Sequence, residues 1–507
     1  MTDEPQDSLL AKTAGGAGWV IGFRMVTRLL GLASTLTLVR LLGPGDFGLV
    51  ALASSFAQAV DAFVNLSPHE AVIRERAPDH AMYDTAFTMS FLRGLVTAAV
   101  VAAGAGQVAG FFHEPRLVPV LLALALSTLI GSVENIACVD FIRTFQFRKE
   151  FKLWTTPRVV QVAATIGFAL VWPTYWALVF GILTGRTLRT VLSYIMRPYW
   201  PRLTLAAWRR ITWFTMWSWA IYVVATLRDR VSTILVGHFF SPAAVGIYSL
   251  GGEIASLPSS ELVEPLCRAC FPSFSQLRHS SIGVAETYLR LLGATAFVVL
   301  PAGVGIAMVA DPLVRIAFGP KWLEAIPLIQ ILGISVAIGA LGGITGTLFS
   351  AYAMLRTTFL TTLAGGLVSA ALLFALLPGG TLVTAALVGA AVGICEQTVT
   401  VGIAMRRFGV PLAHLARALW RSVLGVVVMG GVLVWLGLGL APAPVAPVRE
   451  MLGATAVGAA IYVLATGLTW LAAGRPDGPE RDLLALAGGI VHRLRGWRLP
   501  GLLRARG

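Results

Sequence analysis

Between two long apolar runs stands Arg40-Leu-Leu-Gly-Pro-Gly-Asp-Phe-Gly-Leu-Val50, RLLGPGDFGLV, with three glycines, a proline and an aspartate in a few residues. Proline fixes φ and glycine allows conformations closed to other residues, so the chain can reverse here within a few residues. A similar pause, His238 to Tyr248 (HFFSPAAVGIY), returns about 200 positions later. Placing Pro44 on Pro242, an offset of 198, brings Gly48 onto Gly246, Leu49 onto Ile247 and Leu52 onto Leu250. FLRGL (Phe91 to Leu95) meets YLRLL (Tyr288 to Leu292) at offset 197, which puts Arg93 on Arg290. The two matches at nearly one offset read as an internal repeat.

The surroundings say what the repeat is made of. Of 507 residues 56% are hydrophobic and only 13% charged, with a mean hydropathy of +0.78. Soluble chains keep about a quarter of their residues charged, so this one cannot cover itself with polar surface and reads as a polytopic membrane protein. The runs are too long for barrel strands and lack a period of two, so the spans are helices and the fold class is all-α. Fourteen segments of about 20 residues are expected as spans: 16–40, 45–66, 83–106, 117–138, 153–172, 174–195, 212–236, 243–266, 283–309, 323–349, 357–377, 381–404, 417–440 and 450–473.

The net charge of +14 is explained by orientation and not by nucleic acid. Taken by alternate segments, 27 Lys and Arg fall on one side and 5 (Arg40, Arg116, Arg315, Lys321 and Arg449) on the other. Positive residues gather in cytoplasmic loops, so both termini are expected in the cytoplasm and Arg40–Val50 is an external turn. The polar, acidic start MTDEPQDSLLAKTAGG lacks the pattern of a cleavable signal peptide, so the first apolar run is expected as an uncleaved anchor.

The repeat offset covers six spans, so both copies enter from the same side and form a parallel repeat about an axis along the membrane normal. The expected organisation is an N-lobe of spans 1–6 (1–196), a basic cytoplasmic linker (197–211) and a C-lobe of spans 7–12 (212–405). Spans 13–14 (406–473) and a basic amphipathic tail (474–507) follow. In the tail Leu483, Leu486, Ile490, Leu494 and Trp497 recur at helical spacing, with Arg481, His492, Arg495 and Arg498 off that stripe, as in a helix lying on anionic lipid.

Enzymatic motifs are absent. No Gly-Lys dipeptide exists, which excludes a Walker A loop, and there is no His-Glu-x-x-His. Cys267-x-x-Cys270 has redox or zinc spacing but no second pair, so the four cysteines read as structural and neither cofactor nor metal is expected. The informative residues are charges inside the spans: Arg24, Arg28, Arg93, Arg158, Arg228, Arg230 and Arg290, with the acids Asp61, Glu134, Asp229, Glu253, Glu261 and Glu396. Each is unfavourable facing lipid, so each should face a partner or a cavity. Arg24 and Arg28 are four apart and share a helix face. A diphosphate needs convergent guanidinium forks to replace its water, so Arg24, Arg28, Arg93, Arg290, Arg228 and Arg230 are substrate-cavity candidates. Glu253 and Asp61 are candidates for ion coupling. The competing reading is that these arginines pair with Asp61, Glu134 or Glu253 to hold helices together.

Several stretches together resemble a known family. They are LVRLLGPGDFGLVAL (38–52), FQFRKEF (145–151), YWALVFG (175–181), ILVGHFFSPAAVGIYSLGGEIASLPSSELVEPL (234–266), RACFPSFSQL (268–277) and FGPKWLEAIPLIQILG (318–333). This ordered set is similar to Wzx-type lipid-linked oligosaccharide flippases of the multidrug/oligosaccharidyl-lipid/polysaccharide exporter superfamily. Where members often carry Asp five residues before the glycine matching Gly237, this chain has Ser232. The resemblance implies a non-enzymatic transporter in a bacterial inner membrane. It would carry an undecaprenyl-diphosphate-linked oligosaccharide from the cytoplasmic to the outer leaflet by alternating access. Membrane lipids, and a polysaccharide polymerase and glycosyltransferases, are the implied partners, with no nucleic acid. The alternatives are a drug/cation antiporter or a lipid II flippase of the same superfamily.

Overall fold

The computed structural model describes residues 26–481 except 66–67, 76–77, 145, 213–215, 278–280, 441–446 and 477. Every regular element among them is helical. In chain order they are α1 (26–41), α2 (Pro44–Val64), α3 (Pro68–Arg74), α4 (His80–Phe111), α5 (Leu117–Ser132), α6 (Asp140–Arg143), α7 (Phe147–Val171), α8 (Tyr175–Met196), α9 (Trp208–Thr212) and α10 (Met216–Phe239). Then come α11 (Pro242–Ala255), α12 (Glu264–Gln276), α13 (Ser281–Met308), α14 (Ala310–Ala317), α15 (Ala325–Ala351), α16 (Leu355–Leu376), α17 (Leu382–Phe408), α18 (Leu412–Trp435) and α19 (Pro447–Ala472). The amphipathic helix expected in the tail lies outside the described residues.

Among the described residues eight helices are long and apolar enough to cross a membrane, or nine if α5 and the bent segment Ile136–Arg143 form one span. The chain is therefore built as a multi-pass membrane protein. The bend of 68° follows from Asn135, whose side chain accepts the Ala137 N–H at 3.0 Å and so starts a new helical turn where the old one stops. The segments expected at 153–172, 174–195 and 212–236 are helical too, as α7, α8 and α10, but carry charges within them. The span expected at 243–266 is not one helix. It breaks after Ala255 into a wide π-type turn, Ser259–Val263, before α12. Pro258 is the reason, since it has no N–H to give and clashes with the preceding turn.

Contacts divide the chain into two compact units. The first holds the described residues up to Leu250 with Ala317–Leu323 and Thr362–Ala385; the second holds Gly251–Ile316, Glu324–Thr361 and the described residues from Ala386 on.

Within the first unit the stretch Arg40–Val50 is a hub. Pro44 opens α2, where a missing N–H costs nothing. Asp46 accepts the Gly43 N–H at 3.1 Å and the Tyr175 N–H at 2.9 Å, satisfying donors at the starts of both α2 and α8. Arg40 Nε donates to the Ala317 carbonyl at 3.2 Å, and the buried Trp322 donates to the Val39 carbonyl at 3.0 Å while its ring meets Phe47 edge-on. The two pauses in the sequence also meet each other. A Cβ built on Gly48 would lie 1.6 Å from the Pro242 carbonyl oxygen, and one on Gly246 would lie 2.0 Å from the Pro44 carbonyl oxygen. Each copy of the motif thus lays its glycine on the proline carbonyl of the other, a reciprocal contact with local twofold character.

The linker expected at 197–211 is irregular over 197–207 but strapped along the first turns of α4. Tyr199 donates to Asp84 at 2.7 Å, and the Arg202 N–H donates to the same oxygen at 3.0 Å. The N–H groups of Thr204 and Ala207 donate to the hydroxyls of Thr88 and Thr85. Burial and the Asp84 carboxylate hold the Tyr199 phenol above its usual range, so it stays a donor. At the start of the strap Arg197 pairs with Asp140 at 2.6 Å, and Asp140 also binds Arg143 and accepts from Tyr83. Asp84→Ala removes the acceptor of two of these bonds, each to a charged group. Trypsin cleavage after Arg202 in the solubilised protein should become about tenfold faster or more. An unchanged cleavage rate would mean the strap is held by its other contacts.

Candidate functional site: a charged cluster in the first unit

Small residues let the helices of this unit approach closely enough to bring charges together. The run Gly181-Ile-Leu-Thr-Gly185 on α8 sits against α7: a Cβ on Gly181 would be 1.8 Å from Thr165 Oγ1, and one on Gly185 would be 2.8 Å from Gln161 Oε1. This is the small-xxx-small spacing by which membrane helices pack. On α4, Gly94 abuts Ser132 of α5, with a Cβ–Cβ separation that would be 2.1 Å. Arg186 follows Gly185 and Arg93 precedes Gly94, so both tight crossings place an arginine beside them.

Charge comes from α2, α4, α8 and α10 and from the end of α5. Arg189 of α8 donates from Nε to Glu134, just past the end of α5, at 2.9 Å, and its guanidinium lies 3.5 Å from the centre of the Trp154 ring of α7. Arg186, one turn earlier, lies under Gly131, where a Cβ would come within 2.6 Å of its Nε. Arg93 of α4 approaches Asp61 of α2 to 3.5 Å, and Thr97 donates to the same carboxylate at 3.4 Å. One turn back on α2, Gln58 accepts from Arg230 of α10 at 2.7 Å. Gln58 and Asp61 share a helix face, so α2 carries an arginine contact from each side. His69 of α3 joins the group electrostatically. Burial first, and then the charges of Arg93 and Arg189, lower its pKa to about 4. It is therefore neutral near pH 7 and adds no charge beside the arginines.

Asp61, Arg93 and Arg230 are thus brought to one neighbourhood, with Arg93 paired to Asp61. Arg228, on the same helix as Arg230, packs against Gly366, whose Cβ would be 3.3 Å from that of Arg228. Arg28 lies half-buried in α1. Arg24 is outside the described residues. Arg290 and Glu253 belong to the second unit and both are exposed there.

Arg186 and Arg189 lie inside α8, within the segment expected as a span at 174–195. Arg189 is seven residues from Met196, roughly 10 Å from the helix end. Glu134 finds its partner in Arg189 rather than in any of the seven arginines singled out. The signal available in the sequence was Gly181-x-x-x-Gly185 followed by arginines three apart on one face, GILTGRTLR. All four cysteines are free thiols, and among the described residues no three His, Cys, Asp or Glu side chains converge as they would on a metal ion.

Chemically, the cluster holds three guanidinium groups (Arg93, Arg186, Arg189) against two carboxylates, with a fourth, Arg230, joined through Gln58 and an aromatic face beside Arg189. It suits an anion with more than one oxyanion, or an amphiphile that places sugar or lipid against Trp154.

The comparisons with known proteins agree on family and fold. The family described as "Polysaccharide biosynthesis protein" matches residues 37–327, more than half of the chain. The chain is 24% identical over 356 residues to the lipopolysaccharide biosynthesis protein WzxC of Escherichia coli K12, covering 69% of this chain and 72% of that one. It is 22% identical over 343 residues to the teichuronic acid biosynthesis protein TuaB of Bacillus subtilis 168, covering 67% and 70%. Among solved structures it is similar to the lipid II flippase MurJ in an inward closed conformation, with a TM-score of 0.73 over 92% of this chain and 100% of that one at 13% identity. An inward-facing multidrug resistance MATE transporter of the MOP superfamily follows at TM-score 0.60, covering 76% and 94%, also at 13% identity.

Proposed function

The chain belongs to the polysaccharide biosynthesis protein family, and from that premise we propose that it is a flippase for a lipid-linked oligosaccharide of the undecaprenyl-diphosphate type. The observation that carries this reading is the cluster of Arg93, Arg186 and Arg189 gathered on α4 and α8 of the first unit. Arginine keeps its charge when desolvated and offers a planar fork to phosphate oxygens. A mobile diphosphate can exchange for Asp61 and Glu134 on these forks, while the sugar rests on Trp154. A site with more arginine than acid does not suit a small cationic drug. The lipid II alternative shares the diphosphate and gains support at the level of fold from MurJ.

In this reading the fourteen expected segments all span. The repeats form two lobes, and alternating access around an arginine-lined cavity moves the headgroup from the cytoplasmic to the outer leaflet of a bacterial inner membrane. Arg24, Arg28, Arg228 and Arg290 are further contacts along that path. Asp61, already paired to an arginine, is a better coupling candidate than the exposed Glu253, because proton uptake there would release Arg93 for substrate. Glycosyltransferases that build the oligosaccharide and a polymerase that uses it are the proposed neighbours.

Two experiments test this. Polymer export in cells lacking the parental gene and expressing Arg93→Gln at matched membrane levels is expected to fall at least tenfold, about 1.4 kcal/mol of transition-state binding. Export at the parental rate would remove Arg93 from the substrate path. For orientation, a cysteine at Gly45, where a side chain meets nothing within 4 Å, should react with an impermeant maleimide in whole cells, and one at Arg148 should not. The reverse pattern would invert the proposed direction.

A further inference from the structure

The second unit contains a cavity of about 760 Å³, of whose lining the transport reading uses only Arg290. It is bounded by the first turns of α13, the first turns of α18 and the chain following α19, so it lies at one end of three helices long and apolar enough to span. Arg290, Arg417, Arg421 and Arg481 line it together with Glu286. Its floor is tight: a Cβ on Gly293 would sit 3.4 Å from the Ala418 carbonyl oxygen.

Arg421 is the informative residue. It is 95% buried, and the chain beyond α19 closes over it, with Gly478 placed so that a Cβ would lie 2.7 Å from Nη2. Its Nε lies 3.3 Å from Glu480 Oε1, but neither Nε nor Nη1 has an acceptor in hydrogen-bonding geometry. A desolvated guanidinium with unsatisfied donors is unfavourable unless an acceptor comes to it. The carboxylates facing it are Glu480 and, across the cavity, Glu286, against four arginines, so the lining carries an excess of two positive charges. Leu289, Ala418 and Trp420 supply an apolar side, and Trp420 is 43% exposed, as suits a ring at the lipid–water boundary.

We propose that this cavity binds the phosphate of an anionic phospholipid, with Arg417, Arg421 and Arg481 on the headgroup and Leu289 and Trp420 beside the glycerol and upper acyl chain. The shared chemistry is a phosphate monoanion or diester, and the apolar side favours a membrane lipid over a free phosphate compound. The headgroup contacts proposed here, Arg417, Arg421 and Arg481, have no part in the transport reading, so the site stands or falls without it.

The test is native mass spectrometry of the full-length protein released from detergent with phosphatidylglycerol, cardiolipin or phosphatidylcholine added, and with inorganic pyrophosphate as a competitor. The parental protein is expected to retain the anionic lipids over phosphatidylcholine by about tenfold. Arg417→Gln and Arg481→Gln, both at exposed positions, should each lose most of that preference with an unchanged melting temperature. Arg421→Gln should lose it too, but its buried pair makes it the less informative variant if it does not fold. Retention that pyrophosphate at millimolar concentration leaves intact supports the lipid. Displacement by pyrophosphate with the same arginine dependence would overturn the lipid assignment in favour of a free phosphate compound. Equal retention by Arg417→Gln, Arg481→Gln and parent would overturn the site itself.

Discussion

Replacing Arg189 with alanine is expected to all but abolish export, because it removes the anchor of the charged cluster and strands its partner. Arg189 is held by Glu134 at 2.9 Å and by the face of Trp154. The two side chains are 21% and 15% exposed. Truncating one member of a largely desolvated, hydrogen-bonded pair costs upward of about 2 kcal/mol, much of it from the charge left behind, so a loss of about thirtyfold is expected. Lysine at this position keeps the charge but neither the fork nor the flat stacking surface, and an intermediate defect is expected. The decisive variant is the double substitution Arg189→Ala with Glu134→Gln, which removes the stranded charge. If the pair only holds α5 to α8, the double variant should export like the parent and the substrate role fails. If Arg189 binds the diphosphate, the double variant should reach parental membrane levels and still not export.

The second large effect is expected at the reciprocal glycine contact. Gly48→Ala would put a methyl group 1.6 Å from the Pro242 carbonyl oxygen, and Gly246→Ala would put one 2.0 Å from that of Pro44. The obstructing atoms are backbone, so no side chain can swing away and the helices themselves must part. Overpacking of this kind costs about 1–3 kcal/mol and more when the backbone cannot yield. Each variant should show a lower melting midpoint in detergent and a smaller monodisperse fraction on size exclusion. Gly45→Ala is the control, since nothing lies within 4 Å of its Cβ. The double variant Gly48→Ala/Gly246→Ala should lose less than the sum of the singles, because the contact is parted only once. Strict additivity would mean that the two glycines do not act on one crossing.

What could be read from the chain divides by distance along it. The turn at Gly43-Pro44 and its echo at Pro242 were legible, because Pro and Gly act on their own backbone. The helical class was legible because lipid requires each segment to satisfy its own hydrogen bonds. Asp61 and Arg93 were each singled out as charges in apolar runs, but their pairing depends on how α2 meets α4 and is not written in either segment. Arg186 and Arg189 do not stand out in the sequence, because a dense basic run from Arg197 follows just beyond them. Their setting in the cluster depends on Gly181 and Gly185, which hold α8 against α7. The break at Pro258 was passed over because the hydrophobic count runs through it, although the missing N–H marks the place.

The strap over α4 has a consequence for how this chain tolerates change. Its backbone N–H groups at Arg202, Thr204 and Ala207 find their acceptors on Asp84, Thr88 and Thr85, so what is specified is the number of residues between them. The side chains of Trp200 and Leu203 are 84% and 68% exposed and specify little. Deleting or inserting one residue between Arg202 and Ala207 would move a donor off its acceptor, whereas exchanging either outward side chain would not. A segment with the composition of a linker is thus free in its letters and fixed in its length.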